Sequence, residues 1–208
     1  MTSDEQLQLM RETIQEETGY LRTLADQVGS GHLEAVKMMS ACRGHVLVGG
    51  VGTSRAVAER MAHLLCCCGV PALFIHPADS LHGTSGAIKP DDVIVAISKG
   101  GETTDVIKFT GIAAERGARI IAFTEKPDST LGRMAQAVVP IKVAPEADPF
   151  GMVATTSSLA NAIVGDALCV LLLKLKDYSL EEFGRTHPGG AVGYKLADMG
   201  MTWPEGEE

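Results

Sequence analysis

His45-Val46-Leu47-Val48-Gly49-Gly50-Val51-Gly52-Thr53-Ser54 is the stretch whose reading decides the fold. Its first four residues form an apolar run too short for a helix and rich in the β-branched valine that suits a buried strand. The glycines end that strand. Thr53 and Ser54 then lead into a helix expected from Ser54 to Cys68. Strand, glycine-rich turn and helix in this order are the first half of a βαβ unit.

The alternation continues along the chain. Ala72 to Ile75, Val93 to Ile97, Ile120 to Phe123 and Ala137 to Val143 read as four more strands. Helices are expected at Thr103 to Arg116, Ser129 to Met134 and Ser157 to Lys176. Upstream, Leu7, Met10, Ile14, Leu21, Leu24 and Val28 recur near heptad spacing, which marks an amphipathic helix from Ser3 to Gly29 or Gly31. That helix would serve either as a self-associating arm or as cover for its own sheet. A second helix follows to about Cys42.

Strands alternating with helices require right-handed crossovers and a sheet covered on both faces. The expected fold is therefore α/β, a three-layer sandwich with a five-stranded, mostly parallel sheet flanked by helices. Residues 1–43 would pack on or extend this domain, 44–198 would form it, and 199–208 would be a tail, acidic and frayed from Pro204 to Glu208.

Composition narrows the class. The chain has 208 residues, enough to bury one good core, and 45% hydrophobic with only 4% aromatic residues means a core of Ala, Val, Ile, Leu and Met. A formal charge of −8 with no run of Lys and Arg argues against nucleic acid and anionic membranes as partners. The polar start, Met1 to Glu5, reads as no targeting signal, and no apolar run is expected to reach a membrane span. The five cysteines are an odd number, and Cys66, Cys67 and Cys68 are consecutive, which fits neither a disulfide framework nor zinc-ligand spacing. They are expected to be small core residues in a reducing cytoplasm. Met38 and Met39 are expected in the core, and His45 and His63 as structural histidines.

Ligands of parallel sheets bind outside the strand C-terminal ends, so the loops there come first. Gly49 to Ser54 aims backbone N–H groups and the Thr53 and Ser54 hydroxyls at a helix N-terminus, which is anion-binding architecture. It lacks the Gly-Lys-Ser/Thr of a Walker loop, and Arg55 breaks the dinucleotide fingerprint. A second such turn, Ser98-Lys99-Gly100-Gly101-Glu102-Thr103, leaves the third strand. Gly52, Thr53, Ser54, Ser98, Gly100, Gly101 and Thr103 are accordingly the candidate phosphate holders. The alternative is that Ser54, Ser98 and Thr103 only cap helices.

This pair of loops resembles the SIS, or sugar isomerase, domain. Three further segments resemble the arabinose-5-phosphate isomerases within it. They are His76-Pro77-Ala78-Asp79-Ser80-Leu81-His82-Gly83, then Glu146-Ala147-Asp148-Pro149 with Ala154-Thr155-Thr156-Ser157, then Glu182-Phe183 with His187-Pro188-Gly189-Gly190. The resemblance runs from about His45 to Leu196. It implies an aldose–ketose isomerase that works through an enediol, with Glu102, Glu146 and His187 handling protons and His82 lining the site. No metal or organic cofactor is implied, and the family is typically a homotetramer with sites at subunit interfaces. Many members carry a C-terminal pair of CBS modules; the sequence stops where these would begin, so their regulation is expected to be absent or supplied by another chain.

Two departures matter. Where the family's first loop has Lys, this chain has Thr53, and Arg55 replaces the following Gly. In the second loop Lys99-Gly100 stands where the family usually has a residue and a Ser, which costs one hydroxyl and adds one charge. Thr53-Ser54 restores the wording of SIS domains in glucosamine-phosphate synthases. The competing reading is a non-catalytic sugar-phosphate sensor or partner-binding module, motivated by Thr53.

Overall fold

A computed structural model describes residues 1–143 and 145–201. The acidic tail expected from Pro204 onward lies outside the described residues.

In chain order the elements are α1 (Ser3–Arg22), α2 (Ser30–Ser40), β1 (Val46–Gly50), α3 (Thr53–Cys67), β2 (Ala72–Phe74), α4 (Pro77–Ser80), β3 (Val93–Ile97), α5 (Thr104–Glu115), β4 (Arg119–Thr124), α6 (Thr130–Met134), β5 (Ala137–Pro140), α7 (Thr156–Leu175), α8 (Leu180–Arg185) and α9 (Gly190–Asp198). The five strands form one sheet in the order β2-β1-β3-β4-β5, and each neighbouring pair is parallel. This is the α/β three-layer sandwich expected from the alternation.

Alternation along each strand explains the layers. Val46, Val48, Val93, Val95, Ile97, Ile121 and Phe123 enter a core shared with α2, α3 and α7. Leu47, Ile94, Ala96, Ile120 and Ala122 point the other way, into a core shared with α5 and α6. Successive strand side chains face opposite sides, so a strand apolar at every position must be covered twice. Met38 and Met39 lie in the first core as expected.

Element ends differ from expectation for local reasons. β1 starts at Val46 because the His45 amide donates to the Asp92 carboxylate at 2.8 Å. β5 stops at Pro140, which has no N–H to continue the ladder, and beyond it the Gln27 side-chain amide takes both backbone groups of Lys142 at 2.6 and 2.9 Å. α1 ends at Arg22, well short of Gly29, with the Thr23 hydroxyl turned back onto the Tyr20 carbonyl at 2.8 Å. No residue of α1 is buried, and Leu7, Leu9, Met10 and Ile14 are exposed.

Two expectations are corrected. Among the described residues one helix, α7, is long and apolar enough to cross a membrane by length and composition. Its packing against α2 and α3, with Ser157, Asn161, Val164, Leu168 and Leu172 buried, accounts for one face of it, while Leu159, Ile163 and Val170 are exposed. Of the three adjacent cysteines, Cys68 is buried, whereas Cys66 is exposed and its thiol donates to the Ala72 carbonyl at 3.1 Å. Consecutive helix positions point about 100° apart, so one core face cannot take all three.

Candidate active site

The sheet order reverses between β1 and β3: β2 lies on one side of β1, and β3, β4 and β5 lie on the other. In open parallel sheets, that reversal opens the crevice where ligands bind. Gly50 pairs with Ile97, so the two strands end level and their two glycine-rich loops leave side by side.

The hydroxyls in these loops are not spent on capping. α3 has Gly52 at its N-cap position, at φ 62°, and no side chain caps it. Thr103 is the N-cap of α5, yet its hydroxyl makes no capping bond; it pairs with the Ser98 hydroxyl at 2.9 Å. Thr53, Ser54 and the Ser98–Thr103 pair thus lie beside helix N-termini that, among the described residues, no N-cap side chain caps. A Cβ added at Gly52 or Gly100 would meet nothing within 4 Å, so packing within the chain does not demand glycine at either position. Gly101 is different. At φ +67° its Cβ would lie 1.9 Å from the Ser129 hydroxyl oxygen.

Glu146 is the best-defined acid of the region. It is 6% exposed, and Lys99 Nζ donates to its Oε1 at 2.6 Å while the Ser157 amide donates to Oε2 at 3.0 Å. Burial pushes its titration up, but the hydrogen bonds from Lys99 and Ser157, together with the Lys99 charge, outweigh it and hold the carboxyl below its ordinary value. The loop after Glu146 is wrapped on Asp148, whose carboxylate accepts from the amides of Phe150, Met152 and Val153 at 2.8 to 2.9 Å.

The other expected acid turns elsewhere. Glu102 is exposed, and its Oε1 accepts from the Thr130 amide at the start of α6, at 2.8 Å. That bond from Thr130 lowers its titration. His187 follows α8, half-buried. Its Nδ1 donates to the Phe183 carbonyl at 2.9 Å, and its ring stacks on Phe183 at 3.9 Å. A carbonyl can only accept, so the neutral ring leaves the Nε2 lone pair as its acceptor. His82 is exposed just after α4. Among the described residues, no hydrogen bond joins Glu146 to Glu102, His82 or His187. The structure brings together Ser98 with Thr103, and Glu146 with Lys99 and Ser157.

Lys99 and Ser157 are the site groups that sequence reasoning left out. Both had a signal: Lys99 departs from the family's second loop, and Ser157 closes the family-like segment Ala154-Thr155-Thr156-Ser157. α8 was also missed, although its capping box is legible: the Ser179 hydroxyl accepts from the Glu182 amide and the Glu182 carboxylate from the Ser179 amide, each at 3.1 Å.

Comparison with known proteins places this geometry. The SIS domain family matches residues 38–171. Arabinose 5-phosphate isomerase KpsF of Escherichia coli is 37% identical over 188 residues, 90% of this chain and 59% of that protein. Arabinose 5-phosphate isomerase KdsD of Escherichia coli strain K12 is 35% identical over 186 residues, 89% of this chain and 57% of that protein. The chain spans under three-fifths of the length of these curated relatives. A solved structure from Listeria monocytogenes is 33% identical with a TM-score of 0.88, over 91% of this chain and 100% of that one. An Escherichia coli CFT073 protein solved in complex with arabinose 5-phosphate is 30% identical with a TM-score of 0.87, over 90% of this chain and 100% of that one. The match over residues 38–171 covers more than half of the chain, and the chain belongs to the SIS domain family.

Proposed function

We propose that this chain is a sugar-phosphate aldose–ketose isomerase acting on arabinose 5-phosphate or a close pentose or hexose phosphate. The observation that carries this reading is Glu146: a carboxylate withdrawn from solvent, held ionised by Lys99 and Ser157. The two curated relatives named above are arabinose 5-phosphate isomerases, which supports the substrate class.

The hydroxyls of Thr53, Ser54, Ser98 and Thr103, with the backbone of Gly52, Gly100 and Gly101, hold the phosphate at the two helix N-termini. Glu146 takes the proton from C2 of the open-chain aldose, and the C2 electrons form the enediol as the carbonyl oxygen O1 takes up a proton. The O2 proton then leaves, and C1 gains one, which yields the 2-ketose. Glu102, His187 and His82 serve these oxygen protons. Glu102→Gln is expected to slow kcat toward the low end of the 10²- to 10⁴-fold range while binding persists. A wild-type kcat in that variant would leave Glu102 as the partner of α6 alone.

We place the active form as a cytoplasmic homotetramer with sites at subunit interfaces, residues 44–198 forming the SIS unit. Two features support association: the unburied apolar residues of α1, and the exposed Leu159, Ile163 and Val170 on α7. His187 would then serve a neighbour's site.

The test offers a panel of pentose and hexose phosphates, and the matching free sugars, in deuterium oxide. Deuterium should enter C1 or C2 of at least one phosphate and of no free sugar. Binding without any exchange would favour the sensor reading, for which Thr53 in place of Lys is the specific motive. Equal affinity for free sugars would remove the phosphate site.

A further inference from the structure

Lys99 does more than the fold asks of it. Its structural duty belongs to its backbone, whose carbonyl accepts from the Glu125 amide at 2.9 Å and the Thr124 hydroxyl at 3.0 Å. Any residue could supply that carbonyl. The side chain instead reaches from the loop after β3 to a carboxylate 47 positions away, and 42% of it remains exposed while the Glu146 side chain is 3% exposed.

The two groups facing Glu146 come from different elements. Lys99 approaches from the β3–α5 loop, and Ser157, through its amide, from the start of α7. Of these only Lys99 is charged. The first glycine loop offers no rival cation among the described residues, because Arg55 is paired with Glu59 at 2.8 Å and lies over the Phe74 ring at 5.7 Å.

A base that removes a proton from carbon must be ionised before the substrate arrives and must wait in one orientation. Burial alone works against the first requirement, since it disfavours the charged form. A free carboxylate on a three-torsion side chain fails the second. One short charge-assisted hydrogen bond meets both.

We propose that Lys99 is a positioning residue for Glu146, its ammonium orienting the carboxylate and keeping it ionised for the proton transfer at C2. The proposal rests on the isomerase reading of Glu146. It gives Lys99 a task reached through Glu146, not through the phosphate.

The experiment compares the full chain with Lys99→Met and Lys99→Arg, reading kcat/KM against pH with arabinose 5-phosphate and following the Glu146 carboxyl by carbon-13 NMR. In Lys99→Met, the carboxyl should titrate at higher pH and the acid limb of kcat/KM should move with it. Below that limb the loss is about tenfold for each unit moved. Lys99→Arg should keep the limb near wild type. Should the Met variant fail to fold, Lys99→Gln, a donor without charge, takes its place.

A fall in kcat/KM at every pH with an unmoved limb would overturn the proposal, as would a rise in KM alone, which would make Lys99 a phosphate ligand. Absence of wild-type turnover on any sugar phosphate would defeat the isomerase reading and the catalytic task with it. An NMR titration of Glu146 that ignores the loss of Lys99 defeats the proposal even if that reading stands.

Discussion

Glu146→Gln is expected to lower kcat by about 10²- to 10⁴-fold and to leave sugar-phosphate binding largely intact. The amide has nearly the shape of the carboxylate but cannot take a proton from carbon. It also offers one acceptor oxygen where the carboxylate offers two. One of the two bonds, from Lys99 at 2.6 Å or from the Ser157 amide at 3.0 Å, must therefore be lost. Neither bond involves the hydroxyls or glycine backbone assigned to the phosphate, although Lys99 shares the β3–α5 loop with some of them. Steady-state kinetics with titration calorimetry on the same preparation separates the two effects. A Gln variant with full turnover would remove Glu146 from the chemistry and leave it as a structural partner of α7.

Within the two glycine-rich loops, a large effect on folding is expected at Gly101. Its φ of +67° is costly for any residue with a Cβ, and that Cβ would lie 1.9 Å from Ser129 Oγ and 2.5 Å from Ser129 Cβ. Ser129 cannot simply rotate away. It is 5% exposed, and its hydroxyl caps α6 by accepting from the Gly132 amide at 3.2 Å. Backbone strain and overpacking each cost about 1 to 3 kcal/mol, so Gly101→Ala should lose roughly 2 to 6 kcal/mol of stability. Gly100→Ala is the contrast: its Cβ meets nothing within 4 Å, and a change within about 0.5 kcal/mol is expected. Urea denaturation of the two variants checks the pair, and similar midpoints would show that the turn relaxes freely.

The readings differ in how far they could go from sequence. The third strand, Val93 to Ile97, was legible to the residue because its apolar run is uninterrupted and its flanks are polar or glycine-rich. The start of β1 and the end of β5 were not, since Asp92 and Gln27 reach in from distant parts of the chain to decide them. α9 was missed because it begins at a glycine, Gly190 at φ +66°, with no capping side chain to announce it. Glu102 and Glu146 were both legible as candidate acids, yet sequence could not tell that one turns to α6 and the other to Lys99.

What the sequence determined by itself was the layered α/β class, the strand and helix alternation, the two glycine-rich loops and the family they resemble. All of these rest on short-range patterns: a period of 2 or 3.6 residues, a turn residue in place, a hydroxyl beside a glycine. The tertiary structure decided which groups meet. Ser98 and Thr103 close within one loop, but Lys99 and Glu146 are 47 residues apart. They meet because β1 and β3 pair with Gly50 level with Ile97, and because α7 packs back against α3. The ion pair on the proposed base thus depends on strand register and helix packing, which are long-range properties of the folded core that no local spacing encodes.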